Sequence, residues 1–407
     1  MSTAVMPPRL ELDLFAGNAL KAAAKFWFVL AVAGQFAFAF TIASFYAMTA
    51  ARGGFQAWNK VLIVQYTAGV TMSNAAIVGH ILFGTLISIA GASQLIPQIR
   101  NRFPVFHRWN GRLYLLAAFT QGITGLYMVI FSKRISFSGA QRVPISLSGV
   151  LLIVFAILAL RYAMIRNFKT HRRWALRLFL VGSGSWFFRV GFSLTVLLFG
   201  PIGFDPTTFG GPLPVFWAYA EYLLPLAVLE LYFRAQDHPG QVRRMATAGV
   251  LFVLTLGMGA GIFATAAAQW APKVKAAFDS RISIGDTLAA TIASRGIDGA
   301  ERQYHELKST AANTYNFEEN ELNNLGYQLL RANKLKDAIR IFQLNLATYP
   351  QSSNVYDSLG EAYMNAGDTP LAIANYQKSL QLNPKNRNAV KMLQKLNAPY
   401  AASHALL

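Results

Sequence analysis

Two stretches of the chain repeat one theme: His107-Arg108-Trp109 followed by Gly111, Arg112 and Tyr114, and His171-Arg172-Arg173-Trp174 followed by Arg177. Imidazole is the usual axial ligand of b-type haem, and two histidines at matching depth on separate helices are the least such a site requires. His107 and His171 are therefore candidate ligands of haem b. The same residues would also serve as anchors at a membrane face, where Trp and Tyr sit at headgroup depth and Arg binds lipid phosphate. A second set, His80, Arg189 and Glu221, falls inside apolar runs. Ionisable groups in hydrocarbon are costly unless they pair or line a wet cavity. Arg189 and Glu221 are accordingly expected to form an ion pair with His80 nearby. That layer is either a buried tie between helices or the polar centre of a transporter or proton-coupled sensor. Glu230 is expected to pair with Arg234 at i+4.

Other chemistries lack residues. The chain has no cysteine, which excludes disulfides, thiolate metal sites and cysteine nucleophiles. It has no HExxH, Walker loop, SxxK or GxSxG, so no metal site and no enzymatic activity are expected.

The elements that must position these residues are apolar helices. Hydrophobic residues make up 54% of the 407, and charged residues only 14%. A helix needs roughly 20 apolar residues to cross the hydrocarbon core. Seven runs qualify, at about 26–48, 75–97, 110–131, 147–165, 174–199, 214–234 and 246–268. The first is too long for a cleaved leader and reads as an anchor. His80, Arg189 and Glu221 then lie roughly 8, 15 and 10 Å inside one face, at 1.5 Å per residue. Both HRW segments open spans at the other face. Gly257 and Gly261 form a GxxxG on the last span, a spacing that permits close helix approach.

Most of the net charge of +19 belongs to residues 1–270, whose loops carry 16 Lys and Arg on one side and 5 on the other (Arg52, Lys60, Lys133, Arg134 and Arg142). Positive charge resists translocation, so the richer side is expected to be cytoplasmic. The placement is a cell (inner) membrane with the N-terminus in the cytoplasm and, after an odd number of spans, the C-terminal part outside it. Basic loops between apolar runs imply lipid contact and no nucleic acid.

Beyond residue 270 the pattern changes. Leu325 and Leu359, Gly326 and Gly360, Ala338 and Ala372, Phe342 and Tyr376, and Pro350 and Pro384 are pairs each 34 residues apart. That is the period of the tetratricopeptide repeat, a helical hairpin whose small residues let two helices approach closely. Asn345 and Ser379 stand where the pattern usually has alanine. The expected fold is all-α, a seven-helix transmembrane bundle followed by a short α-solenoid. The expected segments are 1–25 (cytoplasmic), 26–270 (transmembrane), a linker 271–282, a repeat domain 283–397 and a tail 398–407. Within the repeat domain, 283–309 is a degenerate repeat, 319–352 and 353–386 are full repeats, and 387–397 is a capping helix.

The membrane half resembles a bacterial family of predicted membrane proteins, domain of unknown function 2306, over roughly residues 70–235. The likeness rests on His80 with Gly84, on Gln94 and Pro97 before Arg100, and on "HRWNGRLY" at 107–114. Gly125, "HRRWALR" at 171–177, Arg189 and Glu230 extend it, with Ala175 where the family pattern carries methionine. It implies a membrane protein and no particular activity. Residues 281–390 resemble the repeat tails of secreted serine hydrolases of the penicillin-recognising type, though no catalytic serine motif accompanies them here. The expected role is a membrane protein whose outer repeat groove holds a protein or peptide partner, with capping of the membrane domain as the plainer alternative.

Overall fold

A computed structural model describes residues 8–51, 58, 71–131, 139–200, 202–204, 209–238 and 240–396. The tail at 398–407 and the loop charges Arg52, Lys60, Lys133 and Arg134 lie outside the described residues. The chain divides into two compact units, Met1–Phe278 and Asp279–Leu407.

The first unit is built from the apolar runs. Its helices are α1 Pro8–Ala51, α2 Thr71–Gln94, the short α3 Pro97–Arg102, α4 Pro104–Phe131 and α5 Gly139–Met164. They continue as α6 Phe168–Gly182, α7 Gly184–Phe199, α8 Pro212–Asp237, α9 Gln241–Thr265 and α10 Ala271–Phe278. Proline opens α3, α4 and α8, where its missing N–H costs nothing. Among the described residues six helices are long and apolar enough to cross a membrane, and the bent pair α6 and α7 passes the same test of length and composition when taken together. Large side chains such as Ile123, Leu197, Phe252 and Val253 remain exposed, as lipid-facing residues do.

Two spans depart from regular helix. At Gly182-Ser183-Gly184 the chain bends by 55° between α6 and α7, the glycine–serine cause of helix kinks. Ser183 holds the bend: its hydroxyl donates to the Phe179 carbonyl at 2.7 Å and accepts from the buried amide of Gln35 on α1 at 2.5 Å. Between α9 and α10, residues Ala266–Trp270 form a π-helical turn. Residues 271–278 of the stretch expected as a linker are therefore helix and belong to the first unit, and α1 already begins at Pro8. Of the GxxxG pair, Gly261 makes the close approach: a Cβ there would fall 2.5 Å from the Val190 carbonyl oxygen of α7, whereas at Gly257 the nearest atom is 3.5 Å away.

The second unit is a stack of hairpins. Helix α11 Ile284–Thr310 breaks at Gly296, whose φ of 69° suits glycine, and Thr291 on the first half bonds Gln303 on the second. Helices α12 Glu319–Arg331, α13 Leu335–Thr348, α14 Ser353–Asn365, α15 Thr369–Leu382 and α16 Arg387–Lys395 follow. Two-residue strands β1 Ile282–Ser283 and β2 Tyr315–Asn316 pair in parallel. Asn333 and Gly367, 34 residues apart, both take positive φ and turn each full repeat from its first helix to its second. The polar departures from the repeat pattern are explained by equivalent bonds. Asn345 donates to the Glu319 carbonyl at 3.1 Å and Ser379 to the Ser353 carbonyl at 2.8 Å, each tying the second helix of a repeat to the start of its first.

The paired residues of the 34-residue period take equivalent places. Ala338 on α13 and Ala372 on α15 are fully buried one turn before the aromatic ring of each repeat. Pro350 and Pro384 are exposed in the turns that follow α13 and α15, where proline cannot prolong the helix. Their shared role is therefore to stop a helix, and neither proline contributes to the core.

Phe342 and Tyr376 are fully buried against Gly326 and Gly360, and each ring contributes roughly 2–3 kcal/mol by leaving water. At Gly326 a Cβ would come within 2.5 Å of the Phe342 ring. The variant Gly326→Ala should therefore destabilise the repeat unit by about 1–3 kcal/mol. Limited proteolysis of the full chain on a temperature ramp measures this, and unchanged resistance would mean that the ring can move aside.

Candidate functional site

His80 on α2 packs against Gly125 of α4 and is held by two side chains one turn apart on that helix. The Gln121 amide donates to Nε2 at 2.8 Å, and Nδ1–H donates to the Thr124 hydroxyl at 3.3 Å. Thr124 passes its own proton to the Thr120 carbonyl at 2.7 Å, so it can only accept from the ring. These bonds select the neutral imidazole with its proton on Nδ1. A second proton on Nε2 would need the Gln121 amide to turn over, and its Oε1 is buried without a partner.

Arg189 lies on α7, one turn and a half beyond the bend. Its Nη1 donates to the Ser185 carbonyl at 2.7 Å, and its guanidinium lies 5.2 Å from the centre of the Phe38 ring on α1, a cation–π contact. Glu221 on α8 sits against Gly184, the first residue of α7: a Cβ there would lie 3.1 Å from Oε1. The expected ion pair does not form, because among the described residues no carboxylate reaches Arg189. Instead the guanidinium folds back on its own helix, and Glu221 takes the position at the N-terminal end of α7, where the helix dipole favours an anion. Arg189 nevertheless acts electrostatically on Tyr46, His80, Glu221 and Lys273, which brings five helices, α1, α2, α7, α8 and α10, to one layer. All five residues are half-buried. Sequence reasoning missed Tyr46, Gln121 and Thr124, which carry no charge, and assigned Lys273 to a linker.

At the other end of the bundle the two HRW segments have different surroundings. The Gln94 amide of α2 donates to the His107 carbonyl at 2.8 Å, and Arg112 lies over the exposed Trp109 ring at 4.6 Å. His107 Nδ1 is buried without a partner. His171 bonds through Nδ1 to the Ala159 carbonyl of α5 at 2.8 Å, and the two histidines interact electrostatically. Among the described residues no cluster of three or more His, Asp or Glu could hold a metal ion.

The second segment also clamps α6 to α8. Arg173 donates through Nη2 to both carboxylate oxygens of Asp237, at 2.5 and 2.7 Å, and Arg177 bonds Glu230 through Nε, at 2.9 Å, and Nη2. Both guanidiniums lie over Phe233, at 4.7 and 5.3 Å. Glu230 therefore pairs across helices with Arg177 and not with Arg234 at i+4, because the facing helix presents a planar fork that offers two bonds to one carboxylate. Removing one partner leaves the other in a half-apolar setting. The variant Arg177→Met should cost roughly 1–2 kcal/mol, the pair being partly exposed, and Arg177→Met with Glu230→Met should recover most of it. Thermal unfolding in detergent across this double-mutant cycle checks the coupling, and strictly additive losses would refute it.

Residues 77–204 match a family described as "Predicted membrane protein (DUF2306)", and residues 353–386 match the tetratricopeptide repeat. The first stretch holds His80, both HRW segments and Arg189, and ends before Glu221 and Glu230. The second holds Gly360, Ala372, Tyr376 and Pro384, the later member of each repeated pair. No curated protein and no solved structure matches the chain. The chain thus carries one stretch that is similar to a family of predicted membrane proteins and, further on, one that is similar to the tetratricopeptide repeat.

Proposed function

We propose that this protein is a membrane-anchored interaction protein, with seven spans holding a repeat domain on the extracytoplasmic side of an inner membrane, where it receives a protein or peptide partner. The 16-to-5 loop charge asymmetry supports that direction. The observation that carries the binding role is the face formed by the first helices of the repeats. Asn354 on α14 donates to Glu319 on α12 at 2.9 Å, and Tyr327 on α12 donates to Glu361 on α14 at 2.9 Å. Burial pushes the Tyr327 hydroxyl well above its ordinary range, so it stays a donor. Asp357 accepts from Asn386 and Asn388 at 2.9 and 2.8 Å. On the same helix, between Glu319 and Tyr327, lies Asn323, whose Oδ1 is buried without a partner. A photoreactive residue at Asn354 should crosslink one discrete envelope protein in cells, and one at the exposed Lys378 should not. The variant Tyr327→Ala should lower that yield about tenfold. Equal labelling from both positions would defeat the proposal.

A second reading, a b-type haem protein using His107 and His171, is favoured by one observation. A carbonyl can only accept, so His171 Nδ1 must carry the proton toward Ala159, which leaves Nε2 with the lone pair a ligating histidine needs. Protein expressed with haem available should then show a Soret band that disappears in His171→Ala. A colourless preparation would end this reading.

A further inference from the structure

The two HRW segments set an arginine on an indole in the same way. Arg112 follows Trp109 by three residues and lies over its ring at 4.6 Å; Arg177 follows Trp174 by three and lies over its ring at 4.7 Å. Stacking fixes the plane of each guanidinium and turns its N–H edge outward to bond. In the second segment that edge holds an oxyanion, the Glu230 carboxylate, through Nε and Nη2. In the first, the chain provides none. The sequence has no Asp or Glu between Asp13 and Asp205. Among the described residues the guanidiniums of Arg108 and Arg112 make no hydrogen bond or ion pair.

Neighbouring helices keep this edge outside the bundle. Two amides tie α4 to α2: Gln94 donates to the His107 carbonyl at 2.8 Å, and Asn110 to the Ala90 carbonyl at 3.1 Å and Ser93 at 2.9 Å. Further along, Gly122 packs on Gly149 and Ile153 of α5. The face turned away carries Val105, Arg108, Trp109, Arg112, Leu113 and Leu116, at the spacing of one helix face, and all six are exposed. Arg100 and Arg102, exposed in the last turn of α3, precede it. Helix α4 has 28 residues. It is therefore about 42 Å long, roughly 12 Å more than the hydrocarbon core. Its far end is apolar, with Ile130 and Phe131 exposed, so the excess length belongs to the end that begins at Pro104. Two guanidiniums thus stand at headgroup depth on a strip whose other residues suit acyl chains.

We propose that Arg112, held on Trp109, and Arg108 one turn before it bind the phosphodiester of an anionic lipid headgroup. A phosphodiester presents two equivalent oxygens sharing one negative charge, the same target that Glu230 gives Arg177. A zwitterionic headgroup brings its own cation beside the phosphate, which two guanidiniums without a carboxylate disfavour. The apolar residues flanking the pair favour a lipid over a soluble anion.

Native mass spectrometry of the full chain in neutral detergent, with equal amounts of phosphatidylglycerol and phosphatidylcholine of one chain length, tests this. Phosphatidylglycerol should be retained about thirtyfold over phosphatidylcholine, and the ratio should fall to near one in Arg108→Gln with Arg112→Gln. Neither arginine has a bond inside the protein to lose, so the melting temperature of that variant without lipid should not change. Lys169→Gln with Arg172→Gln removes the same two charges from the exposed start of the second segment and should keep most of the preference. An equal loss in that control, a fall in the lipid-free melting temperature, or no preference in the unaltered chain overturns the proposal. So does displacement of the lipid by an equal concentration of glycerophosphoglycerol, the same headgroup without acyl chains, which would assign the site to a soluble anion.

Discussion

Hydrocarbon supplies no hydrogen bonds, so any backbone or side-chain group that leaves regular helix inside the membrane unit must find its partner within the protein. The bend at Ser183 and the π-turn at Ala266–Trp270 both meet that demand from neighbouring helices. Gln35 of α1 reaches the first, and α7 receives the second through Thr265 and Gln269. Helices α1, α7 and α9 are mutually packed for this reason as much as for their apolar surfaces. Gly261, set against the Val190 carbonyl, keeps α9 close enough to α7 for the bonds to form. The same constraint explains Arg189, whose folding back onto Ser185 satisfies one donor locally and leaves the rest of the fork toward the bundle.

The parts of this fold that are periodic could be read from the sequence. Hydropathy marks the seven runs because lipid contact requires unbroken apolar surface. The 34-residue offset marks the repeats because the same ring must meet the same glycine in each. What escaped was set by packing between elements. The Gly182-Ser183-Gly184 bend lies inside a run whose mean hydropathy does not change. Glu230 has an arginine at i+4, yet its partner Arg177 lies 53 residues away on a facing helix. Lys273 follows the last apolar run, so it resembles a linker residue unless the helix Ala271–Phe278 that carries it is known. Tyr46, Gln121 and Thr124 are uncharged, and nothing in their spacing separates them from the other polar residues of the spans. Asn345 and Ser379 could be recognised as departures, but the carbonyls they bond could not.

The two HRW segments show how one sequence motif can acquire different uses. Both begin a helix at one end of the bundle. In the first, Trp109 stays exposed beneath Arg112, the arrangement of a side chain that meets headgroups. In the second, Trp174 turns inward against Phe155 and Arg177, and Arg173 and Arg177 are committed to α8. A shared motif therefore marks one end of the bundle without assigning a shared role.

The ties from Asn345 to Glu319 and from Ser379 to Ser353 each span 26 residues and begin and end within a single repeat. Each repeat thus carries its own closure, and the turn residue it needs, Asn333 or Gly367, recurs at the same place. In the last one the closing hydroxyl is shared with the helix that follows, since Asn386 at the start of α16 donates to Ser379 at 2.8 Å. Growth by duplication can therefore insert a complete 34-residue unit ahead of that junction without disturbing any existing bond inside the others. The length of the array is in this sense a heritable variable, separable from the sequence of the membrane unit that carries it.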